Sequence, residues 1–108
     1  MTTTHHLKSW PQFFKPIREG KRTHELRRND RNFVVGDLLI LHEFDPTTQL
    51  YTGDSCEVEV TSITSFAEPC AVSDVAMNPE FCIMSVRIHM SLQPSTQIDQ
   101  TAEIQRLH

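Results

Sequence analysis

Glycine is scarce in this 108-residue chain: there are three, Gly20, Gly36 and Gly53, far from one another. That excludes a glycine-rich phosphate loop, whose backbone must approach the phosphates at several neighbouring positions. Cysteine is equally sparse. Cys56, Cys70 and Cys82 are odd in number, widely spaced and without a Cys-x-x-Cys pair. They read as free thiols of a reducing cytoplasm rather than as a disulfide framework. No apolar run exceeds that of Leu38–Leu41, far short of the roughly 20 residues that span a bilayer. The N-terminus, Met1-Thr2-Thr3-Thr4-His5-His6, lacks the basic start and apolar stretch of a signal peptide. The histidines, His5, His6, His24, His42, His89 and His108, fall in no metal-binding spacing such as His-Glu-x-x-His. Neither a metal nor a cofactor is expected, and the reading is of a cytoplasmic monomer with no membrane contact. No internal repeat or low-complexity tract is present.

An overall excess of positive charge is also lacking, since the formal net charge is -4. This argues against a wholly basic nucleic-acid coat. Yet Lys15, Arg18, Lys21, Arg22, Arg27, Arg28 and Arg31 are seven of the ten Lys and Arg residues. Set against Glu19, Glu25 and Asp30, they give the window 15–31 a charge of +4, which leaves -8 on the remainder of a chain of net -4. A cationic segment on an anionic body points to a local anion site.

The periodicities predict one domain over residues 1–91 and a polar C-terminal tail over 92–108, weakly helical around 96–107 or disordered. His5–Ser9 reads as a short strand. Trp10–Glu19 reads as a helix capped by Ser9, with Pro11 in its first turn and Gly20 at its end. Trp10, Phe13, Phe14 and Ile17 would form its buried face, and Pro16 would kink it. Arg22–Arg28 alternates as a strand, with Thr23, Glu25 and Arg27 on one face. Asn29–Asn32 and Gly36-Asp37 are turns. Leu38–Phe44 is apolar enough to be buried on both faces. A loop from Asp45 to Gly53-Asp54 leads to Cys56–Phe66, with Cys56, Val58, Val60 and Phe66 on one side. Residues 67–80 are irregular. In Phe81–Met90, the residues Cys82, Met84, Val86, Ile88 and Met90 point one way. Several short strands with one early helix make an α+β chain whose small mixed sheet closes toward a barrel.

One ordered run of residues carries a resemblance: His6-Leu7-Lys8-x-Trp10-Pro11, Phe14, Gly20 through Arg31, then Phe33-x-Val35-Gly36-Asp37. Leu39, Leu41, Glu43-Phe44-Asp45-Pro46 and Tyr51-Thr52-Gly53 continue it. Over roughly residues 5–90 the chain resembles the ASCH domain group of the PUA-like superfamily, and within it the small bacterial and phage domains called DUF3850. The resemblance implies a small PUA-like β-barrel of about five to six mixed strands with an early short helix. It also implies a cleft beside that helix and an association with RNA or nucleotide ligands.

The residue chemistry is compatible with such a cleft. Arg27 offers a planar fork of donors for a phosphate or a base edge. Glu25 can hold Arg27 or accept from an exocyclic amine. Lys21, Arg22 and Arg31 supply cations, Thr23 a hydroxyl, and Trp10 a surface on which a base can stack. Glu25 with Arg27 equally fits an ordinary same-face ion pair, and Asn29 and Asp30 fit turn construction. Some ASCH proteins are similar to amidohydrolases in which a Lys and a Thr on this strand act with a distant Glu. Here those positions hold Arg22, with Lys21 one residue earlier, and Glu25, while Glu68 and Glu80 are the candidates for the distant carboxylate. Arginine does not act as a base as lysine can. Three readings stand: an RNA- or nucleotide-binding module; a hydrolase of a modified nucleoside or RNA, with Glu25 as base and Lys21 in support; and a phage- or bacteria-encoded protein-interaction domain presenting Asp54, Glu57 and Glu59 on one acidic face.

Overall fold

The structure is a computed structural model that describes residues 2–71 and 77–92. Its strands are β1 (Thr4–Ser9), β2 (His24–Arg28), β3 (Leu38–Asp45), β4 (Leu50–Ser65) and β5 (Phe81–Leu92). Its helix is α1 (Pro11–Arg18). The sheet order is β1-β3-β4-β5-β2, with β1 and β3 parallel and the other pairs antiparallel. The sheet curls into a half-barrel whose free edges are β1 and β2, as the α+β expectation required.

Period-two alternation builds the concave face. Leu39 and Leu41 of β3, Cys56, Val58 and Val60 of β4, and Cys82, Met84 and Val86 of β5 all point inward and are buried. Helix α1 closes that face with Phe14 and Ile17, which are 0% and 1% exposed. Burying two such side chains contributes roughly 1.5–3 kcal/mol each. Burial also pushes the Cys56 thiol up to about 12, so it stays protonated and serves as packing volume.

The helix begins later and buries less than its spacing suggests. Ser9 is the last residue of β1, and Trp10 occupies the N-cap position with no side-chain cap. Trp10 and Phe13 are exposed by 47% and 38% and stack on each other, their centroids 6.4 Å apart. The expectation that these two would join Phe14 and Ile17 on the buried face is therefore not met. Pro16 lies inside the helix, which ends two residues later at Arg18. The ending is a Schellman motif: Gly20 N–H donates to Ile17 O at 3.0 Å and Lys21 N–H to Pro16 O at 2.8 Å. Gly20 adopts φ 77°, and an added Cβ would meet only Ile88 Cγ2 at 3.9 Å. Gly20→Ala is therefore expected to cost about 1 kcal/mol through backbone strain alone, read as a lower urea midpoint at an unchanged m-value.

Strand β4 starts at Leu50, not after Gly53, so the expected long loop is a short turn over residues 46–49. Thr52, Gly53 and Asp54 oppose the single β3 residue Glu43, a wide irregularity that Gly53 permits with φ 96°. Phe66 is exposed, because the register shifts between Val60 and Ser62 and the strand ends at Ser65. Met90 is exposed too, beyond a shift at Glu57/Val58. His42 meets His6 on neighbouring β1, at 3.0 Å between ring nitrogens, while His24 lies on the far edge strand. His5 is buried against Asp37. The predicted C-terminal tail lies, beyond Leu92, outside the described residues.

Candidate functional site

A pocket of ≈ 390 Å³ opens where β1 passes into α1 and faces the start of β2. Its wall comprises Lys8, Ser9, Trp10, Phe13, Arg22, Glu25, Leu26 and Arg27. Three parts of the chain meet there because the two free sheet edges curl toward each other. Their backbones do not pair. Arginine side chains bridge the gap instead: Arg27 Nη2 donates to Lys8 O at 2.6 Å, and Arg31 Nη1 donates to His6 O at 2.9 Å.

Glu25 is buried on this wall, and Arg27 Nε donates to its Oε2 at 2.6 Å. Alternation along β2 turns both side chains inward, while Leu26 stands outward at the rim. Arg22 lays its guanidinium over the Phe13 ring, Cζ 4.8 Å from the centroid, and its buried Nε has no hydrogen-bond partner. Trp10, Phe13 and Arg22 thus form a continuous stacked surface. Lys8 turns its ammonium onto the Phe44 ring, 4.5 Å from the centroid.

Of the residues singled out from sequence, the pocket gathers Trp10, Arg22, Glu25 and Arg27. Lys21, Thr23 and Arg31 are exposed and off its wall. Lys21 Nζ lies 3.5 Å from Glu19, so the Lys21–Glu25 pair of the hydrolase reading is not assembled on the wall. Glu68 is also off the wall, and Glu80 pairs with Arg28 at 2.7 Å on the surface. Sequence reasoning missed Lys8, Ser9, Phe13 and Leu26 as wall residues. Phe13, three residues after Trp10 on the same helical face, was the legible one.

The acidic surface divides. Asp54 pairs with Arg18 of α1 at 3.1 Å, on the helix side, whereas Glu57 and Glu59 pair with Arg87 and His89 on the outer side of the sheet. Among the described residues, no three His, Cys, Asp or Glu side chains gather to hold a metal, and no helix is long and apolar enough to cross a membrane.

A curled five-strand sheet with one helix on its concave face is the ASCH fold. The crystal structure of ASCH from Zymomonas mobilis superposes with a TM-score of 0.56 at 16% identity, over 95% of this chain and 79% of that one. A point-mutant form of the same protein gives 0.57 and 17%, over 95% and 80%. At such identity the likeness establishes the fold alone. Residues 4–86 match DUF3850, a domain of unknown function, and the chain belongs to that family. A relative in Escherichia phage P2, described as an uncharacterized 12.9 kDa protein in the GpA 3′ region, is 35% identical over 68 residues. That match spans 63% of this chain and 61% of the phage protein, about three-fifths of its length.

Proposed function

We propose that this chain is a PUA-like module of the ASCH type that binds RNA or a nucleotide-like ligand in the pocket beside α1. One observation carries the reading. An exposed aromatic pair, a guanidinium with an unpartnered buried nitrogen and a buried carboxylate converge on one cavity of ≈ 390 Å³. A base stacks on Trp10 and Phe13, and its polar edge reaches Glu25. Arg22 lies where it can meet a phosphate or a base acceptor, and Lys21, Thr23 and Arg31 stand outside as the cationic and polar rim. Arg27 contributes chiefly by holding Glu25. The ASCH fold supports the reading, which we place in the cytoplasm with the protein as a monomer. The free thiols Cys56 and Cys82 suit that setting.

Calorimetric titration with ribonucleoside monophosphates and short RNAs, at low and high salt, tests it. Binding should weaken as salt rises, because neutralised phosphates release counterions. Trp10→Ala should lose about 1–3 kcal/mol per stacked base, a fall of about 5- to 150-fold. Absence of binding to every nucleotide and RNA at both salt concentrations overturns the proposal.

A further inference from the structure

Two neighbouring buried polar groups, one on the pocket wall and one on the strand beside it, lack partners. Ser9 is 3% exposed, and its Oγ makes no hydrogen bond. Glu43 is 4% exposed: its Oε1 accepts from Thr52 Oγ1 at 2.8 Å, while its Oε2 accepts from nothing. The two residues are direct partners in the parallel β1–β3 register. Their side chains therefore leave the same face of the sheet, on strands about 5 Å apart. Ser9 lines the pocket.

Glu43 is held in place. Thr52 orients its carboxylate, and the irregularity at Thr52, Gly53 and Asp54 shapes the strand opposite. Among the described residues no cation pairs with it. A buried carboxylate oxygen without a donor is costly, which makes this position a strong acceptor for any N–H that reaches it. On the adjoining wall Arg27 gives Nε to Glu25 and Nη2 to Lys8 O, so neither of those donors serves Glu43. The Glu43 Oε2 acceptor thus stands beside a wall residue, Ser9, whose hydroxyl can both donate and accept.

We propose that Ser9 and Glu43 form an acceptor subsite that reads an exocyclic amino group, so that the pocket takes amino-bearing nucleobases in preference to their keto counterparts. The inference rests on the base-binding reading above. An amino group donates to Glu43 Oε2, with Ser9 Oγ as its second partner. A keto oxygen at the same place meets the carboxylate as a second acceptor and leaves it unpaired.

Two ligand pairs isolate that group: cytidine against uridine monophosphate, and adenosine against inosine monophosphate. Within each pair an amino group is exchanged for a keto oxygen, together with the ring N–H that accompanies it. The wild-type protein should bind the amino member of at least one pair about 10- to 100-fold tighter, the range of a hydrogen bond to a charged group. Glu43→Gln presents an amide that donates as well as accepts, and should reduce that preference to about twofold or less. Ser9→Ala should narrow it less. Should Glu43→Gln fail to fold, Thr52→Val removes only the group that orients the carboxylate and should narrow the preference in the same direction. Equal binding within both pairs, or an undiminished preference in Glu43→Gln or, failing that, in Thr52→Val, overturns this inference and leaves the base-binding reading standing. Failure of all four nucleotides to bind overturns both.

Discussion

Arg27→Ala is expected to destabilise the fold by about 3–4 kcal/mol, in the range for breaking a buried pair from one side. The Arg27 and Glu25 side chains are 23% and 5% exposed and lie 2.6 Å apart. Truncating the arginine leaves the Glu25 carboxylate buried and alone. It also strips the donor from Lys8 O, a carbonyl on the free edge of β1 that no strand pairs. The partial exposure of Arg27 lets water relieve some of the loss, which keeps the figure toward the lower end. For a small domain with roughly 5–15 kcal/mol in hand, that is a large share. Arg27→Lys should recover little, since one ammonium on a flexible stem cannot serve both acceptors in the fork geometry of a guanidinium. The double variant Arg27→Ala with Glu25→Ala should be more stable than Arg27→Ala alone, because no uncompensated carboxylate remains. Urea unfolding at neutral pH measures all three. A loss under about 1 kcal/mol for Arg27→Ala would mark the pair as an ordinary solvated ion pair.

This reassigns the most legible feature of the sequence. The basic window 15–31 was visible as charge, but charge alone does not say which guanidinium faces a ligand. Arg27 and Arg31 are drawn into closing the seam between β1 and β2, because those strands end up as opposite edges of one curled sheet. That arrangement depends on contacts between residues 19 and 25 positions apart, which local pattern does not record. The inward rows of β3, β4 and β5 were legible because alternation is a local property of a strand. Where a bulge breaks the period, as near Val60 and at Gly53, the sequence reading went astray at Phe66 and at the start of β4. Ser9 resembled a helix cap because it precedes an amphipathic run; extension of β1 through that residue turned its hydroxyl inward instead. Glu43 drew no notice beyond the family pattern, because a carboxylate inside an apolar strand shows its significance only when the opposite strand and the pocket are known.

Asp37→Ala is the second large effect, expected to cost about 2–4 kcal/mol, from the loss of an acceptor that several buried donors share. Asp37 is 3% exposed. Its carboxylate accepts from Val34 N at 3.0 Å, from Thr3 N at 3.2 Å and from His5 Nε2 at 2.9 Å. It therefore ties the turn before β3 to the start of β1. Asp37 N–H also donates to Val34 O, and Val60 N–H to Asp37 O, so the same residue anchors β4. Burial works to raise the pKa of this carboxyl, but the hydrogen bonds from His5, Val34 and Thr3, together with the charge of His5, outweigh it and hold the pKa below the ordinary 3.8. A depressed folded-state pKa fixes the sign: the unfolded chain binds the proton more readily than the folded one. The stabilisation is present above pH 3.8 and is lost as pH falls below it through the lower folded-state value. Urea midpoints taken from neutral pH down to about pH 2 should therefore fall more steeply for the wild type than for Asp37→Ala at the acid end, and the two curves should draw together there. Asp37→Asn keeps the shape but offers a single acceptor oxygen and two amide hydrogens to a site built of donors, and should recover less than half of the loss. Parallel curves across the whole pH range would show that Asp37 acts through packing rather than through its charge.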